Sequence, residues 1–528
     1  MDRRVFYLLT FDSGKMLHLL VFFKPITILL MTLDKNTGFF GHPVALSSLF
    51  ATEMWERFSY YGMRALLVLF LTATYATGGF GMSELEAFTV YGIFTGLVYV
   101  TPIIGGILAD KILGQRKSIY IGAVVMAIGQ FTLAASSMAV DSDIEIRKMF
   151  FYAGLGVLIL GNGFFKPNIS TMVGELYDNN DPRKDGGFTI FYMGINLGAF
   201  LSPMIAGSLG EQVAWHYGFL AAGTGMVIGT LWFYFRSHTL GNIGMPPSVK
   251  AVRNRLAAKD WGTILIYVVS MVGLVYAFIF GWGSIPKQIG DIILKVLSAG
   301  GLLYLLSNII RGTKGATEWS RIGVIMILAV ANIFFWSGFE QAGSTMNIFA
   351  RDNTNRMIGS FEIAASAFQG VNAISIFIFA PIFTFLWSWL DKRRLNPNTP
   401  MKFGIGMLAL STGFVVMAIA NGIAKDGSLV SPLWLVLVYL LHTWGELCLS
   451  PIGLSMVTKL SPPKLVSTIM GVWMGSFAIG NFVASQMKAL TIKFELPIFW
   501  FIAGETFIAA IILMAISPFL NKMMKGIK

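Results

Sequence analysis

The sequence predicts an all-α membrane protein of two six-helix bundles with a helix pair inserted between them, about fourteen spans in all. Three observations predict it. Of the 528 residues 55% are hydrophobic and only 12% charged, and the mean hydropathy is +0.69, a balance no soluble core requires. The apolar residues form runs of roughly 20 or more, far longer than barrel strands, and backbone in lipid must satisfy its own hydrogen bonds, so the runs are helices. Basic residues collect in alternate loops between them.

In chain order, the first element is a segment over residues 1–42. The run MLHLLVFFKPITILLM is short for a span, is broken by Lys24-Pro25 and lacks an A-x-A-like cleavage site. Met31 opens MTLDKNTGFFGHP, which reads as a polar amino terminus, so an overlong start and a genuine one account equally for residues 1–30. Six spans follow near 43–76, 84–112, 116–137, 146–174, 186–208 and 214–236, an N-terminal bundle within 43–238. A pair near 260–282 and 289–310 sits in the connection 239–318, between two basic linkers. The second six, near 320–349, 360–390, 402–421, 430–458, 465–490 and 496–520, make a C-terminal bundle and tail over 319–528.

Loop charge gives orientation. KILGQRK (111–117), SVKAVRNRLAAKD (248–260), RGTKGATEWSR (311–321), DKRRLNPNTPMK (391–402) and the tail NKMMKGIK (521–528) alternate with loops such as VDSDIE (140–145). The positive-inside rule makes the basic set cytoplasmic, and an even number of spans then places both termini there. The net charge of +12 is therefore a topology signal rather than a nucleic-acid face. A single cysteine, Cys448, excludes an intramolecular disulfide, and five histidines without an H-E-x-x-H spacing give no support to a metal enzyme.

Charges inside the spans carry the functional signal. ATEMWERFSYYGMRALLVLFL (51–71) holds Glu53, Glu56, Arg57 and Arg64, and each ionisable group near a bilayer centre costs roughly 2.5 to 3.5 kcal/mol. At 100° per residue Glu53, Arg57, Tyr60 and Arg64 fall on one stripe with Glu56 beside it, so the stripe faces protein. Lys166 in GNGFFKPNIS (161–170), Glu340 in FWSGFEQAGS (335–344) and Glu446 in TWGELCLSP (443–451) lie deep in other spans. A static ion-pair ladder would account for one such pair; charges on several helices point to a polar cavity. If all seven face it, three positive minus four negative leaves −1, and one bound proton brings the set to zero.

The E-x-x-E-R-F-x-Y-Y-G run (Glu53, Glu56, Arg57, Phe58, Tyr60, Tyr61, Gly62), the K-P-N-I-S from Lys166, and FYMGINLGAF (191–200) together resemble the proton-dependent oligopeptide transporter family, a branch of the major facilitator superfamily. The resemblance runs from about 43 to 520 and includes the extra helix pair of bacterial members. It implies a symporter that imports di- and tripeptides with protons by alternating access between the bundles, with no cofactor besides the proton gradient, no catalysis and no nucleic-acid partner. The expected setting is the bacterial inner membrane, with lipid around the spans and a monomer as the working unit.

Carried over residue by residue, the resemblance gives Arg57, Arg64 and Lys166 to the peptide carboxylate, for which planar guanidinium is suited. Asn196, Asn372, Glu446 and Ser450 would surround the amino group, and Tyr60, Tyr61, Tyr99, Trp336 and Trp473 would shape side-chain pockets. GGILADKILGQRKS (105–118) is similar to the superfamily's helix 2–3 signature, in which Asp110 and Arg116 would form a breakable latch. Animal relatives carry a histidine in helix 2; here His18, His42, His216, His238 and His442 all fall elsewhere, which leaves proton coupling to Glu53, Glu56 and Glu340 with Arg57 as their partner. Competing expectations are a family member carrying nitrate or another small anion or metabolite, a peptide receptor, and a membrane hydrolase. The hydrolase lacks an arranged nucleophile or metal.

Overall fold

The computed structural model describes residues 38–138, 143–178, 181, 183–246, 262, 265, 269, 273, 306–424, 427–462 and 464–526. Residues 1–30 and nearly all of the expected pair at 260–310 lie outside the described residues. The first six helices are α1 (Val44–Thr72), α2 (Glu84–Leu108), α3 (Gln115–Met138), α4 (Ile144–Glu175), α5 (Lys184–Ser202) and α6 (Trp215–Arg236). Beyond the linker come α7 (Gly315–Phe339), the short α8 (Thr345–Asp352), α9 (Gly370–Lys392), α10 (Thr399–Ala424), α11 (Leu433–Leu460), α12 (Val466–Lys493) and α13 (Ile498–Met523). Among the described residues ten helical stretches are long and apolar enough to cross a membrane; α1, with its four charges, is outside that set. The all-α expectation holds, and the sheet content among the described residues is a two-residue hairpin pairing Met357–Ile358 with Phe361–Glu362.

Local chemistry fixes the helix ends. Ser83 and Glu86 form a reciprocal capping box at the start of α2, and the Asp143 side chain accepts from the Glu145 N–H at 3.0 Å to start α4. Gly114, at φ +77°, turns the chain between α2 and α3, a backbone state that favours glycine. Glycine also sets the packing. A Cβ on Gly105 would stand 1.9 Å from the Gly163 carbonyl oxygen, so α2 and α4 meet backbone to backbone, and Gly406 and Gly445 do the same for α10 and α11. Lipid offers no hydrophobic drive between helices, so such close approach is what gathers them.

Within the first half α1 packs on α5 and α6, and α3 on α4 and α6; within the second, α10 packs on α11 and α13, and α7 on α12. The halves meet along two seams, α2 with α12 and α5 with α9. Polar contacts across the seams gather at the end opposite the basic loops. Glu84 and Lys488 pair at 3.2 Å, Arg351 Nη1 donates to Thr72 Oγ1 at 2.8 Å, and Asn347 Nδ2 donates to the Ala65 carbonyl at 2.8 Å. The Glu211 carboxylate, one turn before α6, accepts the Ala365 and Ser366 backbone N–H groups at 2.8 and 2.9 Å and the Ser366 hydroxyl.

The expected span at 320–349 falls within one membrane-long stretch, Gly315–Asp352, but its α-helix is interrupted. α7 stops at Phe339, a 3₁₀ turn covers Glu340–Gly343, and α8 resumes at Thr345. Gln341 bridges the break: its Nε2 donates to the Ser337 and Ala484 carbonyls at 3.1 and 3.0 Å, and its Oε1 accepts from the Ser344 and Thr345 hydroxyls at 3.2 and 2.8 Å. The break therefore stays inside protein, where irregular backbone is tolerated at membrane depth.

Candidate functional site

The stripe on α1 faces the interior along its length. Glu53 and Arg57, i and i+4, pair at 3.1 Å, and Arg57 Nε also donates to Glu56. From α4, Asn162 Nδ2 reaches Glu56 at 3.5 Å. All three charged groups are buried, so their charges are neutralised inside the first half rather than by water. Lys166, on α4, is half-buried; its Nζ lies 4.2 Å from the centroid of the Tyr99 ring, a cation–π contact.

Two turns further along α1, Arg64 finds its partners elsewhere. Its Nη2 pairs with Glu340 Oε2 at 3.0 Å and its Nε donates to the Tyr91 hydroxyl at 2.8 Å, which itself donates to Glu340 at 3.1 Å. Arg64 and Tyr91 belong to the first half and Glu340 to the second, on the broken turn after α7. Gly343 makes the approach possible, since a Cβ there would fall 2.0 Å from the Tyr91 hydroxyl. The triad is buried, with Glu340 1% exposed.

Beside the triad lies a cavity of about 160 Å³ between the halves. Tyr61, Arg64, Tyr99 and Asn196 line it from the first half; Trp336, Glu340, Asn372 and Glu446 line it from the second. Across from Arg64, Asn372 Nδ2 donates to Glu446 Oε2 and to Thr443 Oγ1, each at 3.0 Å. The amide therefore fixes the carboxylate, and the cavity has a basic pole and an acidic pole on opposite halves.

Not every expected residue reaches this cavity. Tyr60 lies under Tyr61, stacked on Phe94, and Trp473 is packed behind the wall against Phe403 and Phe477. Ser450 is half-buried off the lining, its Oγ without a partner. Glu53, Glu56 and Arg57 form their own buried cluster and Lys166 sits against Tyr99, so these four charges do not line the cavity with Arg64, Glu340 and Glu446. Arg57 and Lys166 against Glu53 and Glu56 sum to zero, and Arg64 against Glu340 and Glu446 gives 1 − 2 = −1. The unbalanced charge belongs to the cavity.

The expected latch between Asp110 and Arg116 is not formed among the described contacts. Asp110 is exposed, while Arg116 donates from Nε to the Ile243 carbonyl and from Nη2 to the Gly241 carbonyl, both at 2.6 Å. The physical cause is the Gly114 turn, which packs directly on Met245 and Pro246 and so brings the segment after α6 within reach of Arg116. Three residues in polar contacts of this kind were missed by sequence reasoning. Tyr91 and Asn162 are neutral and carry no mark in an apolar run; Glu505 on α13, which accepts from Ser337 at 3.4 Å, is a lone intramembrane charge and could have been found by the criterion that found Glu340.

A family model, PTR2 of the POT family, matches residues 116–502. The peptide transporter YePEPT of Yersinia enterocolitica is 39% identical over 459 residues, covering 84% of this chain and 87% of the relative. Dipeptide and tripeptide permease B of Photorhabdus asymbiotica is 32% identical over 509 residues, covering 94% and 99%. Among solved structures, a peptide transporter POT in complex with sulfate aligns with a TM-score of 0.80 at 34% identity, over 93% of this chain and 98% of that one. A POT family transporter in complex with 5-aminolevulinic acid aligns with the same TM-score at 30% identity, over 92% and 98%.

Proposed function

The chain belongs to the POT family, and from that membership and the site's geometry we propose that it is a symporter that carries di- and tripeptides inward together with protons. The single observation behind this reading is the pairing of Arg64 with Glu340 across the halves, at the edge of a cavity whose far pole is Glu446. Protonation of Glu340 removes the negative partner of Arg64. A peptide carboxylate can then take its place on the guanidinium, and the peptide amino group on Glu446.

Charge supports this order. The cavity set of Arg64, Glu340 and Glu446 carries −1, one proton brings it to zero, and a zwitterionic peptide leaves it there. Relocation follows by rocking of two bodies, residues 43–238 and 319–528, about the site. The contacts of Glu84, Arg351 and Glu211 close the end opposite the basic loops, so the described conformation faces the basic-loop side. By the positive-inside rule that side is the cytoplasm of a bacterial inner membrane, with both termini on it. The reading needs no cofactor, no nucleic acid and no second subunit. Lys166 and the Glu53–Glu56–Arg57 cluster set the field on the carboxylate side without lining the cavity.

Uptake of labelled dialanine into proteoliposomes, with and without an inward proton gradient, tests the proposal. Accumulation above the external concentration should require the gradient. Equilibration alone would make the protein a facilitator, and binding without uptake a receptor.

A further inference from the structure

Asn332 lies in the middle of α7, fully buried at 0% exposed, in a run otherwise made of apolar side chains. Its position repeats at helical spacing with Trp336 and Glu340, both of which line the cavity. The Trp336 indole N–H donates to Asn332 Oδ1 at 3.1 Å, Asn332 Nδ2 donates to Ser476 Oγ at 2.8 Å, and that hydroxyl donates to the Trp473 carbonyl at 2.6 Å. A hydrogen-bonded chain thus runs from the cavity wall on α7 into the backbone of α12.

The chain is not demanded by burial alone. The indole N–H groups of Trp444 and Trp473 are buried with no hydrogen-bond partner, so this protein tolerates an unpaired tryptophan N–H where only packing is at stake. At Trp336 the N–H is held, and the ring it orients is part of an aromatic wall. Trp336 lies 4.9 Å from Phe477 and 5.0 Å from Phe339, and Phe477 stacks on Tyr99 at 5.5 Å. On the other side a Cβ at Gly480 would come within 2.9 Å of Trp336 Cβ, so α12 leaves the side chain no room to withdraw. With its base fixed by Gly480 and its edge fixed by Asn332, the indole has one plane to present to the cavity.

We propose that Asn332 is a positioning residue for Trp336 and, through it, a determinant of which peptide side chains the cavity accepts. This rests on the reading of the cavity as the peptide site. A ring held in one plane gives a wall of fixed width, favouring some side-chain sizes over others. Released from Asn332, it can turn about χ2 and blur that preference, while the poles at Arg64 and Glu446 still hold the peptide ends.

Competition binding on the purified full chain tests this, with dialanine and a phenylalanine-containing dipeptide as the two probes. Asn332→Leu should change the ratio of the two affinities by roughly five- to tenfold, with dialanine itself within about twofold. Ser476→Ala, which keeps the Oδ1 acceptor but removes its anchor, should shift the ratio the same way by less. In a Trp336→Phe background, where no N–H is left to hold, adding Asn332→Leu should move the ratio by less than about twofold. An unchanged ratio, an equal loss for both peptides, or the same shift in the Trp336→Phe background would overturn the inference. Glu446→Gln is the control for the site: if it leaves the affinity of both peptides unchanged, the cavity reading falls and this inference with it, whereas a response to Glu446→Gln without one to Asn332→Leu overturns the positioning role alone.

Discussion

Arg57 and Arg64 stand two turns apart on one helix, both buried, both hydrogen-bonded to a carboxylate, and they have different neighbours for a reason that matters. Arg57 is neutralised by Glu53 and Glu56 on its own helix, and Asn162 on α4 donates to Glu56, all in the first half. Arg64 is neutralised by Glu340, in the second. When two bodies rock against each other, a bond within one body survives and a bond between them changes. The Arg57 cluster is therefore suited to shaping the first half in every state, and the Arg64 triad to reporting whether the halves are closed. On a sequence stripe the two look alike. Three-dimensional partners separate them.

The sharpest way to break this comparison is to remove the two arginines in turn. Arg57→Ala leaves two buried carboxylates without their shared cation, a loss of about 3 to 5 kcal/mol, and should greatly lower the yield of monodisperse protein and its thermal midpoint. Arg64→Ala leaves one buried carboxylate rather than two, and Glu340 keeps its hydrogen bond from the Tyr91 hydroxyl, so it should be milder in the same melting assay while abolishing transport. Equal midpoints for the two would remove the distinction.

Glu446→Gln addresses the opposite pole. Leaving a peptide ammonium without its anion in a partly desolvated site costs roughly 2 to 5 kcal/mol, so binding should fall by tens- to thousands-fold, and N-acetylated peptides should bind the wild type equally poorly. If blocked and free peptides bind alike, Glu446 does not hold the amino group.

Glu340→Gln mimics a permanently protonated triad. Peptide counterflow should persist, but accumulation driven by a 100 mV potential, worth about 2.3 kcal/mol per charge, should collapse to equilibration. Glu53→Gln and Glu56→Gln, inside one half, should retain more of that accumulation. The reverse ranking would return proton coupling to the α1 motif.

Tyr91→Phe deletes one hydrogen bond from each of Arg64 and Glu340, of which only the one to Glu340 joins the halves, a net effect on closure of about 0.5 to 1.5 kcal/mol. Spin labels at the end opposite the basic loops should show up to roughly tenfold more of the open form. Smallest of all is Lys488→Ala, which removes a half-exposed pair with Glu84 worth about 0 to 1 kcal/mol. Its effect on the same label distances should be near the detection limit and weaker still in high salt; a shift larger than that of Tyr91→Phe would make the rim, not the triad, the main closure.

Several parts of this protein were determined by the sequence itself. Helix in lipid is compulsory for apolar runs of this length, so the spans near 116–137 or 402–421 appear as α3 and α10 within a few residues. Intramembrane charges are costly enough to be functional by default, so Arg64, Glu340 and Glu446 could be named before their geometry was known. The motif around Glu53, Glu56 and Arg57 carried the family together with the K-P-N-I-S from Lys166 and FYMGINLGAF (191–200).

Tertiary structure decided which of these groups meet. Charge on a helix says that a partner exists but not where, because a buried ion binds whatever packing brings within about 3 Å, and packing is set by glycines such as Gly105, Gly343 and Gly445 whose contacts are far apart in sequence. For that reason Arg116 holds backbone carbonyls instead of Asp110, four of the seven charges stay off the cavity lining, and neutral residues such as Tyr91 and Asn332, with no signal in hydropathy, become the connections between charged or aromatic groups on different helices.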